Sequence, residues 1–245
     1  MFPWIGRFCF FSVEVLRATF LRAPHRARVL EEAYRVGVQS LPVLVTISAF
    51  VGSILVIQGH RSFSMLGAQH LTGMFVALAG IRELSPIVAA TMVAAKAGTE
   101  MASQLAVMRT REQIDALEVM AVDPYWYLVT PRLLGIMLVM PALTAVALFV
   151  TVLAGVTVAT FQLGLDPDDF ERLVLQYTTG RDLLIAEAKA VVFAFVICMV
   201  STFSGFYSAR GPEGVGQATN AAVVISAVVC VILNFIVSQV AYGGS

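Results

Sequence analysis

Long apolar runs alternate with short polar connections along the chain, and the runs set the fold. Residues 36–58 are free of charge and, at about 1.5 Å per residue, reach about 34 Å as a helix, enough for a hydrocarbon core of about 30 Å. Residues 71–95 are also long enough but carry Arg82 and Glu83 near the middle. Residues 133–163 would reach roughly 46 Å, so this helix is expected to tilt, to bend at Pro141, or to begin in the interface. Residues 185–207 hold Glu187 and Lys189 near their start, and residues 218–242 hold no charge. The pattern predicts an all-α membrane protein with five transmembrane helices.

The N-terminal segment is apolar too, but Arg7, Glu14 and Arg17 interrupt it and no small-x-small cleavage site follows, which argues against a signal peptide. On a helical wheel these three charges fall within roughly 80° of one another. Trp4, Ile5, Phe8, Val15, Leu16 and Phe20 cover much of the rest. This predicts a helix lying in the interface, anchored by Trp4 and the Phe cluster. An ordinary first transmembrane helix is the alternative, and it would submerge three charges. Residues 22–35 are polar and basic and belong to the headgroup region or the aqueous phase. The expected organisation is an interfacial helix and basic linker over 1–35, then a five-helix transmembrane domain over 36–242.

Lys and Arg fall unevenly on alternate sides of these spans. Arg7, Arg17, Arg22, Arg26, Arg28, Arg35, Lys96, Arg109, Arg111, Arg132 and Arg210 share one side; Arg61, Arg172 and Arg181 share the other. The positive-inside rule then puts the N-terminus and the 96–132 connection in the cytoplasm and, after an odd number of spans, the C-terminus outside. The acidic loop LGLDPDDFERL (163–173) falls on the extracytoplasmic side.

Composition agrees: only 13% of residues are charged and 58% are hydrophobic, against about 25% charged in a soluble domain. The 16 basic and 16 acidic residues cancel, which excludes a basic nucleic-acid binder and an acidic disordered tail. Cys9, Cys198 and Cys230 are odd in number and lie in apolar stretches, and His25, His60 and His70 are scattered, so neither a disulfide framework nor a metal site is expected. No repeat is visible at a fixed spacing, so an inverted-repeat carrier lacks support.

A phosphate-gripping loop requires Gly-rich backbone followed by Lys-Ser or Lys-Thr. Both lysines, Lys96 and Lys189, precede Ala, so the chain has no such route to ATP. The Gly-rich stretch ARGPEGVGQATN (209–220) lacks a preceding strand and reads as a tight cytoplasmic turn. No Ser-His-Asp, Cys-His or metal-spaced cluster is present, so a membrane-embedded enzyme lacks its reactive parts.

The segment TREQIDALEVMAVDP (110–124) is polar yet has a helical period. Ile114, Leu117 and Ala121 share a face with Met120 at its edge, while Glu112, Asp115 and Glu118 lie opposite. Asp123-Pro124 is expected to stop it. Such a helix caps the bundle, lies on lipid, or docks into a groove of another protein; its acidic face opposes anionic headgroups.

Arg82 and Glu83 are the other site. Each charge at mid-membrane costs at least about 2.5–3.5 kcal/mol, so such residues face a cavity or a partner. Adjacent helical residues point about 100° apart, so the two must reach different neighbours or meet at a break, which Pro86 provides by freeing a backbone carbonyl. They read as a polar element of a cargo pathway or subunit seam, or as an interhelical salt-bridge staple. Lys96 and Glu100, at i,i+4, read as a helix-end ion pair. Gly73, Ala77 and Gly80, then Ala94, Gly98 and Ala102, give this helix close-packing faces, within the subunit or across a dimer.

IRELSP (81–86), the run from Ala94 to Arg132 that contains EQIDALEVMAVDP, and GPEGVGQATNAAVV (211–224) resemble the MlaE (YrbE) family of permeases. These are membrane subunits of ATP-binding-cassette lipid transporters that work with MCE-domain proteins. The resemblance covers roughly residues 30 to 242. One departure is Gln104-Leu105-Ala106, where many members read Glu-Ile/Leu-Gly; it weakens any role for a carboxylate there and relaxes close packing at Ala106.

The resemblance implies an N-terminal interfacial helix, five spans and a cytoplasmic coupling helix, here about 110–122, that meets the ATPase through Arg111, Glu112, Asp115, Leu117, Glu118, Met120 and Asp123. It implies a bacterial inner-membrane protein working as a homodimer or close heterodimer, with two ATPases and a ring of MCE subunits, a hexamer. The ATP would be used by the partner chain, with no cofactor bound here. The cargo would be a phospholipid or another hydrophobic lipid held between two permease copies, near Arg82 and Glu83, with Leu55, Val56 and Phe235 as apolar walls. A self-contained ion- or proton-coupled carrier using Arg82 and Glu83 is the alternative, and a passive scaffold for the outer subunits a third reading.

Overall fold

The computed structural model describes residues 2–21 and 25–243, residues 2–5 by their backbone only. The expected anchor side chains Trp4 and Ile5, and Arg22, therefore lie outside the described residues. Among the described residues the chain forms eight helices and no strand: α1 (Phe2–Leu21), α2 (Arg26–Ser64), α3 (Gln69–Thr110), α4 (Gln113–Val119), α5 (Tyr125–Phe161), α6 (Pro167–Tyr177), α7 (Gly180–Phe206) and α8 (Pro212–Tyr242). Of these, α2, α3, α5, α7 and α8 are long and apolar enough to cross a membrane. The chain is an all-α, multi-pass membrane protein.

Several helices outrun their apolar runs. The first span begins at Arg26 rather than at residue 36, so residues 26–35 of the expected basic linker form its first turns. The second continues fifteen residues beyond its expected end at Ala95, to Thr110. The fifth begins at Pro212 rather than at residue 218, which shortens the expected 209–220 turn. Gly211, at φ 108, makes the corner, and a Cβ on Gly214 would sit 1.9 Å from the carbonyl oxygen of Ala209. These two glycines serve a helix start, with Pro at its first position.

α3 is not uniform. Val76–Leu84 and Ala94–Gly98 are π-helical, as is Tyr125–Val129 at the start of α5. The expected break at Pro86 is absent: the wider π turn ends at Leu84, and Pro86 continues in regular helix. The same device separates Lys96 from Glu100. Lys96 lies inside the second π segment, out of regular i,i+4 register, and Glu100 instead pairs with Arg35 at 3.3 Å.

The chain divides into two compact units. One comprises Met1–Ser40, Val93–Met140 and Phe193–Cys230. Here α1 buries Phe11, Val15 and Ala18 at helical spacing, with Phe11 edge-on to Phe203 and Tyr125. Small residues set the other contacts: a Cβ on Gly98 would meet Ser201 Oγ at 2.8 Å, and one on Gly205 would meet the Ala102 carbonyl oxygen at 2.5 Å.

The other unit comprises Leu41–Met92, Pro141–Val192 and Val231–Ser245. Its apolar core joins Leu55, Val56, Val76, Ile81, Leu148 and Phe170. Helices approach closely at Gly52, whose Cβ would lie 2.2 Å from the Thr151 carbonyl oxygen, and at Gly73, 2.7 Å from that of Phe170. The small faces of α3 thus pack inside this chain, where small residues let helix backbones approach.

Candidate functional site

The surface segment differs from the single 110–122 helix expected. α3 runs through Thr110, Glu112 turns in the left-handed region at φ 58, regular helix covers Gln113–Val119, and Ala121 turns again at φ 57. The positive φ puts Glu112 outside the regular helix, yet Arg210 pairs with both Glu112 and Asp115, so these two carboxylates still point to one side. Asp123-Pro124 opens the next helix rather than only closing this one. Asp123 Oδ1 accepts from the amides of Tyr125 and Trp126 at 3.0 and 3.4 Å, an N-cap followed by Pro at N1.

Ile114 is fully buried and Leu117 partly so, which seats α4 by its apolar edge. Asp115 is gripped by Arg109 and by Arg210, and Arg210 also holds Glu112 at 2.9 Å. Thr110 Oγ1 accepts from the Gly211 amide, a second tie to the same corner. Outward, Arg111 and Glu118 are exposed, and Val119 and Met120 present 88% and 64% of their surface. A helix fixed on one side by ion pairs and a buried Ile offers two bare apolar side chains on the other.

Within the second unit, Arg82 and Glu83 reach different neighbours, as their angular separation requires. Arg82 forks onto Asp182 of α7, Nε to Oδ1 at 3.1 Å and an Nη to Oδ2 at 3.2 Å, and its guanidinium lies 4.9 Å from the centre of the Tyr242 ring. Asp182 also accepts from the Thr179 amide at 2.9 Å, the reciprocal half of a capping box at the start of α7.

Glu83 Oε2 accepts from Asn234 at 2.9 Å, from Ser238 at 2.8 Å and from Lys189 at 3.4 Å. Lys189, fully buried, donates to Ser238 Oγ at 2.6 Å and to the carbonyl oxygen of Arg82 at 2.9 Å. That carbonyl lies four residues before Pro86, which has no N–H to offer it. Two cations, two carboxylates and the Asn234 and Ser238 side chains thus join α3, α7 and α8. A buried ammonium is tolerated when paired and hydrogen-bonded.

Leu55 and Val56, expected as cavity walls, are buried core side chains in this unit. Phe235 is 67% exposed. Asp182, Lys189, Asn234 and Ser238 carry the network and were not assigned to it from sequence. The usable signal was present: one of two lysines lies inside an apolar helix, and Asn234 and Ser238 stand four apart in an uncharged run.

The first unit holds another charged cluster. Gln104 Oε1 accepts from Arg35 at 3.2 Å and from Arg132 at 3.0 Å, and its Nε2 donates to Glu100 at 3.1 Å. Glu32 pairs with Arg35 at 2.6 Å and lies 3.6 Å from Arg132. The neutral amide at 104 holds two guanidiniums while Glu32 and Glu100 supply the balancing charge. Among the described residues no group of three or more His, Cys, Asp or Glu is arranged to hold a metal ion.

Comparison with known proteins fits this arrangement. Residues 29–240 match the family model described as Permease MlaE. A Rickettsia conorii protein named as a probable ABC transporter permease is 34% identical over 236 residues, covering 96% of this chain and 91% of its own length. A Synechocystis protein of the same description is 32% identical over 221 residues, 90% of this chain and 84% of its own. The intermembrane phospholipid transport system permease protein MlaE of Haemophilus influenzae is 30% identical over 220 residues, 89% of this chain and 84% of its own. With the family model spanning most of its length, this chain belongs to the MlaE permease family.

Proposed function

We propose that this chain is the membrane subunit of an ABC transporter that moves phospholipid or a related hydrophobic lipid between the inner membrane and an MCE-domain protein. The ATPase is a separate chain, which binds all the ATP, and this subunit is not catalytic. The observation that carries the reading is α4: a surface helix braced through Ile114 and Asp115, with Val119 and Met120 turned outward. Motion of an external motor against those side chains would pass to α3 through Arg109 and to the start of α8 through Arg210.

In this reading the N-terminus and α4 are cytoplasmic and the C-terminus is extracytoplasmic, following the distribution of Lys and Arg. Two copies form the working unit, with an MCE hexamer on the outer side and the cargo near Arg82, Glu83 and the exposed Phe235. A self-contained carrier is less well supported, because Arg82 and Glu83 are both paired inside the chain.

Lipid transfer from proteoliposomes tests this. The assembled complex is expected to transfer labelled phospholipid only with hydrolysable ATP, while the chain alone gives neither ATP hydrolysis nor flux driven by an ion gradient. Gradient-driven flux through the isolated chain would favour the carrier instead.

A further inference from the structure

A site away from the paired charges joins α5 to α6. Val152, Leu153 and Val156 of α5 and Leu175 of α6 line an apolar groove of about 240 Å³, with Glu171 at its rim. Leu175 is 74% exposed, whereas Phe170 and Val174 of α6 are buried. Glu171 and Leu175 also line an adjoining polar depression with Asp168 and Arg172. The two hollows meet at Glu171 and Leu175: the first is apolar and lies between α5 and α6, the second is charged and lies on α6 alone.

The charges at the polar end are unspent. Among the described residues the side chains of Asp168, Glu171 and Arg172 take no hydrogen bond or ion pair, and Asp168 and Arg172, four residues apart, do not bridge. A helix that carries both signs unpaired beside an apolar slot is matched by a ligand with both signs on one head and a hydrocarbon tail. Arg172 supplies a partner for a phosphodiester and the two carboxylates supply partners for an ammonium group.

We propose that α5 and α6 hold one zwitterionic phospholipid, its acyl chain along Val152, Val156 and Leu175 and its phosphate and amine across Arg172 and Glu171. This seat is on one chain, apart from the Arg82–Glu83 network, and it does not depend on what the transporter carries. Loss of ATP-driven transfer would leave it standing.

The test uses the full chain in nanodiscs of phosphatidylethanolamine doped with a photoreactive phosphatidylethanolamine, with labelled peptides identified by mass spectrometry. Label is expected on peptides of α5 and α6 and is competed by unlabelled phosphatidylethanolamine. Leu175→Trp, which fills the slot from an exposed position, is expected to lower that label about tenfold. The paired change Glu171→Gln with Arg172→Gln keeps the slot and abolishes the preference for phosphatidylethanolamine over phosphatidylglycerol. Even labelling of all lipid-facing helices, insensitive to Leu175→Trp, would overturn the site. Equal competition by phosphatidylglycerol in the unaltered protein would overturn its headgroup choice. A disulfide between two Leu175→Cys chains would assign the groove to a second copy and also overturn the proposal.

Discussion

The ammonium of Lys189 donates to the carbonyl oxygen of Arg82 at 2.9 Å, the acceptor that Pro86 leaves without its helical amide. One side chain thus mends a backbone defect and, through Ser238, joins the acid beside it, Glu83. The proline, the π turn ending at Leu84 and the buried lysine form a single construction.

Removing the lysine is therefore expected to harm the fold before it harms chemistry. Lys189→Ala leaves Glu83 without its cation and the Arg82 carbonyl bare, at about 1–3 kcal/mol, the usual cost of leaving a buried polar group unsatisfied. Reversible unfolding in mixed micelles measures it. The double change with Glu83→Gln is expected to be less destabilising than the sum of the two singles.

Glu187 gives the opposite sign. One of its carboxyl oxygens is buried with no hydrogen-bond partner among the described residues. Glu187→Leu is expected to raise stability by about 1–2 kcal/mol, since an unsatisfied polar group is replaced by hydrocarbon. The same unfolding assay reads the shift.

At Gln104 the amide oxygen serves Arg35 and Arg132 together. Gln104→Leu removes that acceptor while Arg132 stays buried, so a loss of about 1–3 kcal/mol is expected. Gln104→Asn, with a shorter reach, is expected to recover little of it.

Gly52 tests helix contact rather than charge. A Cβ there falls 2.2 Å from the Thr151 carbonyl oxygen, and backbone cannot yield as a side-chain tip can. Gly52→Ala is expected to destabilise by about 1–3 kcal/mol and Gly52→Val by more, read as the monodisperse fraction after extraction.

The five spans were legible because run length alone decides whether a helix can cross a bilayer. That Arg82 and Glu83 go separate ways was legible from the angle between adjacent residues. Their partners were not: Asp182, Lys189, Asn234 and Ser238 lie about 100 to 155 residues on, and no local period connects such positions. The single 110–122 helix failed for a smaller reason. Glu112 adopts a positive φ that its residue type does not announce, so α3 ends before it and a new helix starts at Gln113. Phe11, the buried centre of α1, was not singled out because Phe10 and Phe11 together blur the boundary between the charged and apolar sides of the wheel.

The most direct test of the account asks what touches the outer face of α4. Cysteines at Val119 and Met120, in the assembled complex exposed to a short bifunctional crosslinker in membranes, are expected to capture a nucleotide-binding chain. A cysteine at buried Ile114 is not. If positions 119 and 120 label no nucleotide-binding chain while the complex still transfers lipid on ATP, the motor does not act through this helix and the account is contradicted.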